Sequence, residues 1–368
     1  MIRTSRGSGR LATGMVAAVL AVVPWAVLAC AQPSTDILRL SGPYLGQTPP
    51  GDRPELFAPG VVSTGMYTRD IAMTPDGTEI YFGVLVGPFA TIMETSLRGG
   101  RWRRPEVAPF ARDARFINLE PAISPDGSRF FFLSNRVPGA DSLSPQDLEA
   151  RANQDIWVMD RLHDRWGDPY NLGPPVNTDD SEFFPSITND GTLYFTRSPA
   201  SGGGSFIYRS RLRDGRYQEP EKLGPEVNST VSQYNAFVAP DESYIILCTG
   251  GRSDTRGGTD YYIVFRKDDD TWSEPVNLGD SVNSAGNAEF SPYVSRDGRF
   301  FFFMTARARP DSLIPHTLTR DFLMRYRVEP GSGNPAIYWM DASFLEGLRE
   351  AASVLNGDSL PPHGPGAS

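Results

Sequence analysis

The sequence has little cysteine and little histidine: two Cys and three His in 368 residues. Two Cys exclude a disulfide-stapled scaffold and the usual cysteine-based zinc sites. His163, His316 and His363 are scattered, which argues against a His-ligated metal centre. No metal and no cofactor is therefore expected. Long hydrophobic runs are also missing. The stretch from Val16 to Leu28 is interrupted by Pro24 and is too short and wrongly flanked for a membrane span. There is no Gly-x-Ser-x-Gly elbow, no phosphate loop and no His-Glu-x-x-His. Glycine and proline are abundant instead, with 36 Gly and 32 Pro. Together with 21 Phe, 14 Tyr and 6 Trp they suit an all-β protein with many tight turns and a real core.

Residues 1–31 read as a secretory signal segment: Arg3, Arg6 and Arg10 precede the apolar run, and no acid occurs before Asp36. Val27-Leu28-Ala29-Cys30 resembles a lipobox, which makes Cys30 a candidate lipidation site. Ala29-Cys30-Ala31 also fits ordinary cleavage before Gln32. Loss of the segment leaves 32 basic against 44 acidic residues, a net charge of −12. So acidic a surface excludes nucleic acid as a partner and leaves a lipid anchor as the only expected membrane contact. Residues 32–51 read as a tether. The remaining thiol, Cys248, lies in an apolar run and reads as inert core.

An internal repeat decides the fold. Thr74-Pro75-Asp76-Gly77 recurs as Ser124-Pro125-Asp126-Gly127, Thr188-Asn189-Asp190-Gly191, Ala239-Pro240-Asp241-Glu242 and Ser295-Arg296-Asp297-Gly298. Pro, Asp and Gly each supply a turn requirement. Glu242 in place of Gly predicts a different or strained turn. An apolar run follows each turn, such as Phe130-Phe131-Phe132 or Phe300-Phe301-Phe302-Phe303, and reads as a buried strand. A short strand precedes each turn and a third follows at variable distance. A fourth element carries aromatic-x-x-Pro, beginning at Trp102, Trp166, Tyr217 and Trp272, and the Pro suits an outer edge strand. Val176-Asn177, Val227-Asn228 and Val282-Asn283 each start seven residues after that Pro.

Four strands in each unit of about 50–60 residues describe a propeller blade. The five turns in phase with these elements resemble the PD40, or TolB-like, family of bacterial propeller repeats over residues 52–345. Five turns face four outer-strand signatures, and Pro54-Glu55-Leu56-Phe57 supplies the fifth. The prediction is a five-bladed propeller closed by an N-terminal outer strand, with six blades as the alternative, and a short helix and tail over 346–368. Residues 32–51 are too few for the separate N-terminal domain of TolB. Insertions fall at 136–154 and 306–335, with a capped helical turn read at 144–149.

Ligands of propellers tend to bind at one mouth of the channel. Eight and six residues before each turn Asp stand Thr68 and Asp70, Asn118 and Glu120, Glu182 and Phe184, Gln233 and Asn235, and Glu289 and Ser291. Arg69 and Tyr234 fall between them. Asp70, Glu120, Glu182 and Glu289 are expected to converge in one funnel. Three readings follow. The polar ring satisfies itself and water. Or it binds an envelope protein, peptide or glycan, with Arg69, Asp70, Asn118, Glu120, Glu182, Phe184, Tyr234, Asn235 and Glu289 as contacts. Or Asp70, Glu120, Glu182 and Glu289 supply a pair for glycosidic acid–base work. Asp268-Asp269-Asp270 reads as a solvated hairpin tip. The favoured reading is an exported periplasmic or outer-membrane binding module, and the alternative is a carbohydrate-active hydrolase.

Overall fold

The computed structural model describes residues 40–356 apart from 138, 143, 145, 147–152, 287–288 and 308–313. Cys30, the signal segment, the tether up to residue 39, most of the turn at 144–149 and the tail from 357 lie outside the described residues.

Five antiparallel blades form a propeller. Their innermost strands are Tyr67–Met73, Asn118–Ile123, Ser181–Ile187, Gln233–Val238 and Phe290–Val294. Second strands are Glu79–Val86, Arg129–Ser134, Leu193–Ser198, Tyr244–Thr249 and Phe300–Thr305. Third strands are Phe89–Arg98, Asp155–Leu162, Phe206–Ser210, Asp260–Phe265 and Ala336–Asp341. The repeated turn joins the first two strands of each blade. Asp76 Oδ1 accepts from Thr74 Oγ1 at 2.6 Å and from the Thr78 N–H at 3.0 Å. Asp126, Asp190 and Asp297 repeat this Asx arrangement. Glu242 adopts the left-handed conformation of the glycines it replaces, at φ +60°. Its carboxylate accepts from the Tyr194 hydroxyl at 2.7 Å and from Arg266, bonds that offset the strain.

The ring closes through the N-terminus. Glu55–Leu56 is the outer strand of blade 5, with Glu55 opposite Trp339 and Leu56 opposite Tyr338. Phe57 and Val62 follow it into the core beside Trp339. Pairing the two ends of the chain in one sheet removes a frayed edge. The other outer strands are two residues each: Glu106–Val107, Tyr170–Asn171, Glu221–Lys222 and Val276–Asn277. Each begins just after the signature Pro. The signature aromatic belongs to a separate hairpin at the end of the third strand, where Trp102 pairs with Leu97 and Trp166 with Arg161.

Side chains lengthen these short outer pairings. Asn177 Oδ1 accepts from the Ile156 N–H at 3.0 Å while its Nδ2 donates to the Ile156 carbonyl at 2.9 Å. Asn228 does the same at Ile207 and Asn283 at Tyr261. This double bond to one residue of the third strand explains the recurring Val-Asn.

Apolar faces of neighbouring blades make the core. Tyr81, Phe130, Phe132 and Met159 pack between blades 1 and 2, and Phe301, Phe303, Ile263 and Val294 between blades 4 and 5. Among the described residues, two α-helices of more than one turn are added. α1, Arg320–Val328, lies in the 306–335 insertion, starts at Thr319, which accepts from the Phe322 N–H, and buries none of its residues. α2, Phe344–Asn356, places Leu345 and Ala352 on the core of blades 4 and 5. Antiparallel order puts the connections between second and third strands, insertions included, at the end where the innermost strands begin.

Candidate functional site at the propeller axis

Each innermost strand carries a β-bulge. The pairing register slips between Arg69 and Ile71, Leu119 and Ala122, Phe183 and Ser186, Tyr234 and Phe237, and Phe290 and Tyr293. At every slip one residue has positive φ: Asp70 (51°), Glu120 (58°), Phe184 (53°), Asn235 (51°) and Ser291 (61°). Five non-glycine residues in this conformation cost about 1 kcal/mol or more each, so surrounding contacts must hold them. Three are followed by Pro121, Pro185 and Pro292, which suits a bulge position with no ladder partner.

The contacts form a ring through all five blades. Asp70 Oδ2 accepts from the Glu120 N–H at 3.1 Å, and Glu120 Oε2 accepts from the Phe184 N–H at 2.7 Å. The Asn235 N–H donates to Thr196 Oγ1 of blade 3 at 3.1 Å, and Asn235 Nδ2 donates to Ser291 Oγ at 3.3 Å. The Ser291 hydroxyl donates to Asp70 Oδ1 and completes the circuit. Arg69 lies against it. Its Nε donates to both Asp70 oxygens at 2.9 and 3.0 Å, and its Nη2 to Glu120 Oε1 at 2.7 Å and Ser291 Oγ at 3.3 Å. Gly83, across from Arg69, leaves room for the Asp70 carboxylate, since a Cβ there would stand 2.6 Å from Asp70 Oδ2.

Burial pushes the Glu120 carboxyl above its ordinary range, Arg69 opposes this, and the charge of Asp70 adds to the rise. Asp70 and Glu120 are both almost fully buried, so one guanidinium offsets two carboxyls in a dry place.

This cluster plugs the axis between two cavities. On the turn side lies a small apolar cavity of about 80 Å³, bounded by Ile71, Met73, Phe184, Ile187, Val238 and Tyr293 among others. At the other mouth lies a funnel of about 290 Å³. Arg69, Leu119, Phe183, Tyr234 and Phe290 line it with Ile117, Glu120, Leu133, Gln154 and Asn235. The Tyr234 and Phe290 rings lie 5.4 Å apart, and the Arg69 guanidinium sits 5.5 Å from the Phe290 centroid. The Tyr234 hydroxyl is bonded to Thr259 Oγ1 at 2.7 Å.

Of the anticipated site residues, the structure brings Arg69, Asp70, Glu120 and Asn235 together. Tyr234 joins them at the funnel, but Phe184 faces the opposite cavity. Asn118, Glu182 and Glu289 do something else. The Glu182 carboxylate accepts from Thr178 N–H and Oγ1 and from Arg197 Nε, and Glu289 Oε1 accepts from Ser284 N–H and Oγ. Asn118 Nδ2 donates to the Phe116 carbonyl. These residues pin the loop entering their own blade, as Thr68 does at Val62 and Gln233 at Thr230. The bulge is the reason. Residues two apart share a face of a regular strand, but the bulge between them breaks that alternation.

The acidic tip at 268–270 is exposed, as read from the sequence. Asp269 caps the turn at Thr271, and Asp270 in addition accepts from Arg209, Arg211 and Arg266. Sequence reasoning also missed Ser291 as a bonded member of the ring and Phe290 as a wall of the funnel. Both occupy the same repeat positions as Asp70 and Arg69, which was the available signal.

No protein-family model matches the chain, and no curated protein does. Solved structures do resemble it. TolB from Acinetobacter baumannii aligns with a TM-score of 0.41 and 16% identity, over 75% of this chain and 57% of that one. An exo-1,5-alpha-L-arabinanase from a bovine ruminal metagenomic library aligns at 0.40 and 11%, over 74% of this chain and 92% of that one. The chain thus spans little more than half the length of that TolB. Likenesses of this degree carry no functional argument.

Proposed function

We propose that the protein is an exported cell-envelope binding module whose axial funnel takes a small ligand or peptide end bearing a carboxylate beside an apolar or aromatic group. One observation carries this reading. Arg69 spends Nε and Nη2 on the plug, and among the described residues no hydrogen bond engages its Nη1. A charged donor is left at the floor of a cavity walled by Tyr234, Phe183 and Phe290. Arg69, Gln154 and Asn235 are set there among aromatic and apolar walls, a mixture common in ligand sites, and both oxygens of the neighbouring Glu120 are already engaged by Arg69 and the Phe184 N–H. Export rests on the pattern of residues 1–31, and anchoring on Cys30.

The same geometry disfavours hydrolysis at the axis. Asp70 and Glu120 already accept hydrogen bonds on every carboxylate oxygen, two of them from the backbone of the next blade. An acid–base pair needs access to a scissile bond and to water, and these two hold the ring together instead. The test is calorimetric titration with N-acetylphenylalanine and with its uncharged amide. The carboxylate should bind at least about tenfold more tightly, since a charge-assisted bond is lost in the amide. Tyr234→Ala should weaken it while melting stays cooperative. Equal binding of acid and amide, or no effect of Tyr234→Ala, would overturn the proposal.

A further inference from the structure

A second cavity, of about 470 Å³, opens on the flank between blades 1 and 2, away from the axis. Tyr81, Glu94, Phe110, Arg161 and Trp166 are among its walls. Hydrogen bonds cross-link its interior. Trp166 Nε1 donates to the Tyr81 hydroxyl at 2.8 Å, and that hydroxyl donates to Glu79 at 2.9 Å. Other buried carboxylates in the molecule are held by partners, Asp260 and Glu289 by backbone N–H groups, an amide and hydroxyls and the rest by arginines. Asp70 and Glu120 share Arg69, Glu182 takes Arg197, and Glu242 takes Arg266. Glu79 takes Arg161 through two bonds of 2.8 and 2.9 Å and Arg98 at 3.2 Å. Glu94, facing Tyr81 across the sheet and half-buried, is different. Among the described residues no hydrogen bond or ion pair reaches its carboxyl.

We propose that this flank cavity binds an organic cation, the guanidinium or alkylammonium group of a basic peptide side chain, with Glu94 as counter-charge and Phe110 and Trp166 as walls. The chemistry supports that class. A half-buried carboxylate without a partner favours an incoming cation, and aromatic faces add cation–π attraction. Trp166 already stacks one cation, Arg161, at 4.6 Å from its centroid. Arg161 is fixed on Glu79 and is not available to Glu94. Asp164 and Asp168 also line the cavity and add negative potential, which Arg98 and Arg165 in the same lining oppose. The groups facing Glu94 are Glu79, Arg98, Glu106 and Arg112. Burial and then the charge of Glu79 push its carboxyl up to about 7, with Glu106 adding and Arg112 and Arg98 opposing. A bound cation favours the ionised carboxylate, so binding strengthens as pH rises through that value.

The full chain is titrated with N-acetylargininamide and with its uncharged isostere N-acetylcitrullinamide. The arginine probe should bind, and the citrulline probe should bind at least about tenfold more weakly. The arginine affinity should be about tenfold lower at pH 6 than at pH 8. Glu94→Gln should remove both the preference and the pH dependence while raising thermal stability slightly at high pH. Phe110→Leu, which keeps the charge, should weaken binding without changing its pH profile. The proposal is overturned if neither probe binds saturably, if both bind equally, or if Glu94→Gln binds as the parent does.

Discussion

Replacement of Arg69 by Met is the sharpest test of the axial plug. The variant keeps the length of the side chain and removes the one cation that faces Asp70 and Glu120. Both carboxyls are at most 4% exposed, so water cannot take over the role of the guanidinium without opening the ring. Removing one partner of a buried ion pair costs about 3–5 kcal/mol, and here a single residue serves two partners. The pH dependence follows from the sign of the Glu120 shift. Its folded carboxyl already titrates above the ordinary range because of burial, and losing Arg69 raises it further. A group whose folded pKa is raised contributes stability below its unfolded pKa, and that stability is lost as pH rises through the folded value. Arg69→Met should therefore be destabilised by about 3–5 kcal/mol at pH 8 and by about 1 kcal/mol less at pH 5, where Glu120 is protonated in parent and variant alike. Equilibrium urea unfolding at the two pH values measures both. Glu120→Gln in the same background should recover much of the loss at pH 8, because the amide oxygen still accepts from the Phe184 N–H. A loss below about 1 kcal/mol at pH 8, or one independent of pH, would refute the reasoning, since it would place the pair in the range of exposed ion pairs.

Other expectations follow from the same contacts. Gly83→Ala should cost about 1–3 kcal/mol in urea unfolding, because its Cβ would stand 2.6 Å from Asp70 Oδ2 and 3.1 Å from Leu119 Cδ2. Asn283→Ala should cost about 1–3 kcal/mol by leaving the buried N–H of Tyr261 without its acceptor, while the Tyr261 carbonyl keeps the Leu278 N–H. Deletion of residues 52–62 should remove the outer strand of blade 5 together with Phe57 and Val62, and calorimetry should show loss of the single cooperative melt. An unchanged melt would contradict closure through the N-terminus.

Much of the fold was legible because its signals are local. The Asx turns, the aromatic runs after them and the Pro before each outer strand can be read without knowing what they touch. Even the closing strand at Glu55–Leu56 was legible, since the spacing from Pro54 to the next signature repeats that of the others. The roles of the carboxylates were not. Asp70 and Glu120 look like Glu182 and Glu289 in sequence, yet the first pair bonds the next blade and the second pins a loop. What separates them is a bulge with one left-handed residue. Asp, Glu, Phe, Asn and Ser have no common propensity for that conformation, so it leaves no signature. Helix α1 was missed for a related reason. It buries none of its residues, so its sequence has no core-facing stripe, and only the cap at Thr319 marks its start.

On the proposed function, the Arg69 funnel receives a carboxylate. The most direct measurement is a crystal structure of the protein soaked with N-acetylphenylalanine. The ligand carboxylate should lie within about 3 Å of Arg69 Nη1, with its ring against Tyr234 and Phe290. An empty funnel at saturating ligand, or a ligand bound with its carboxylate turned away from Arg69, would contradict it.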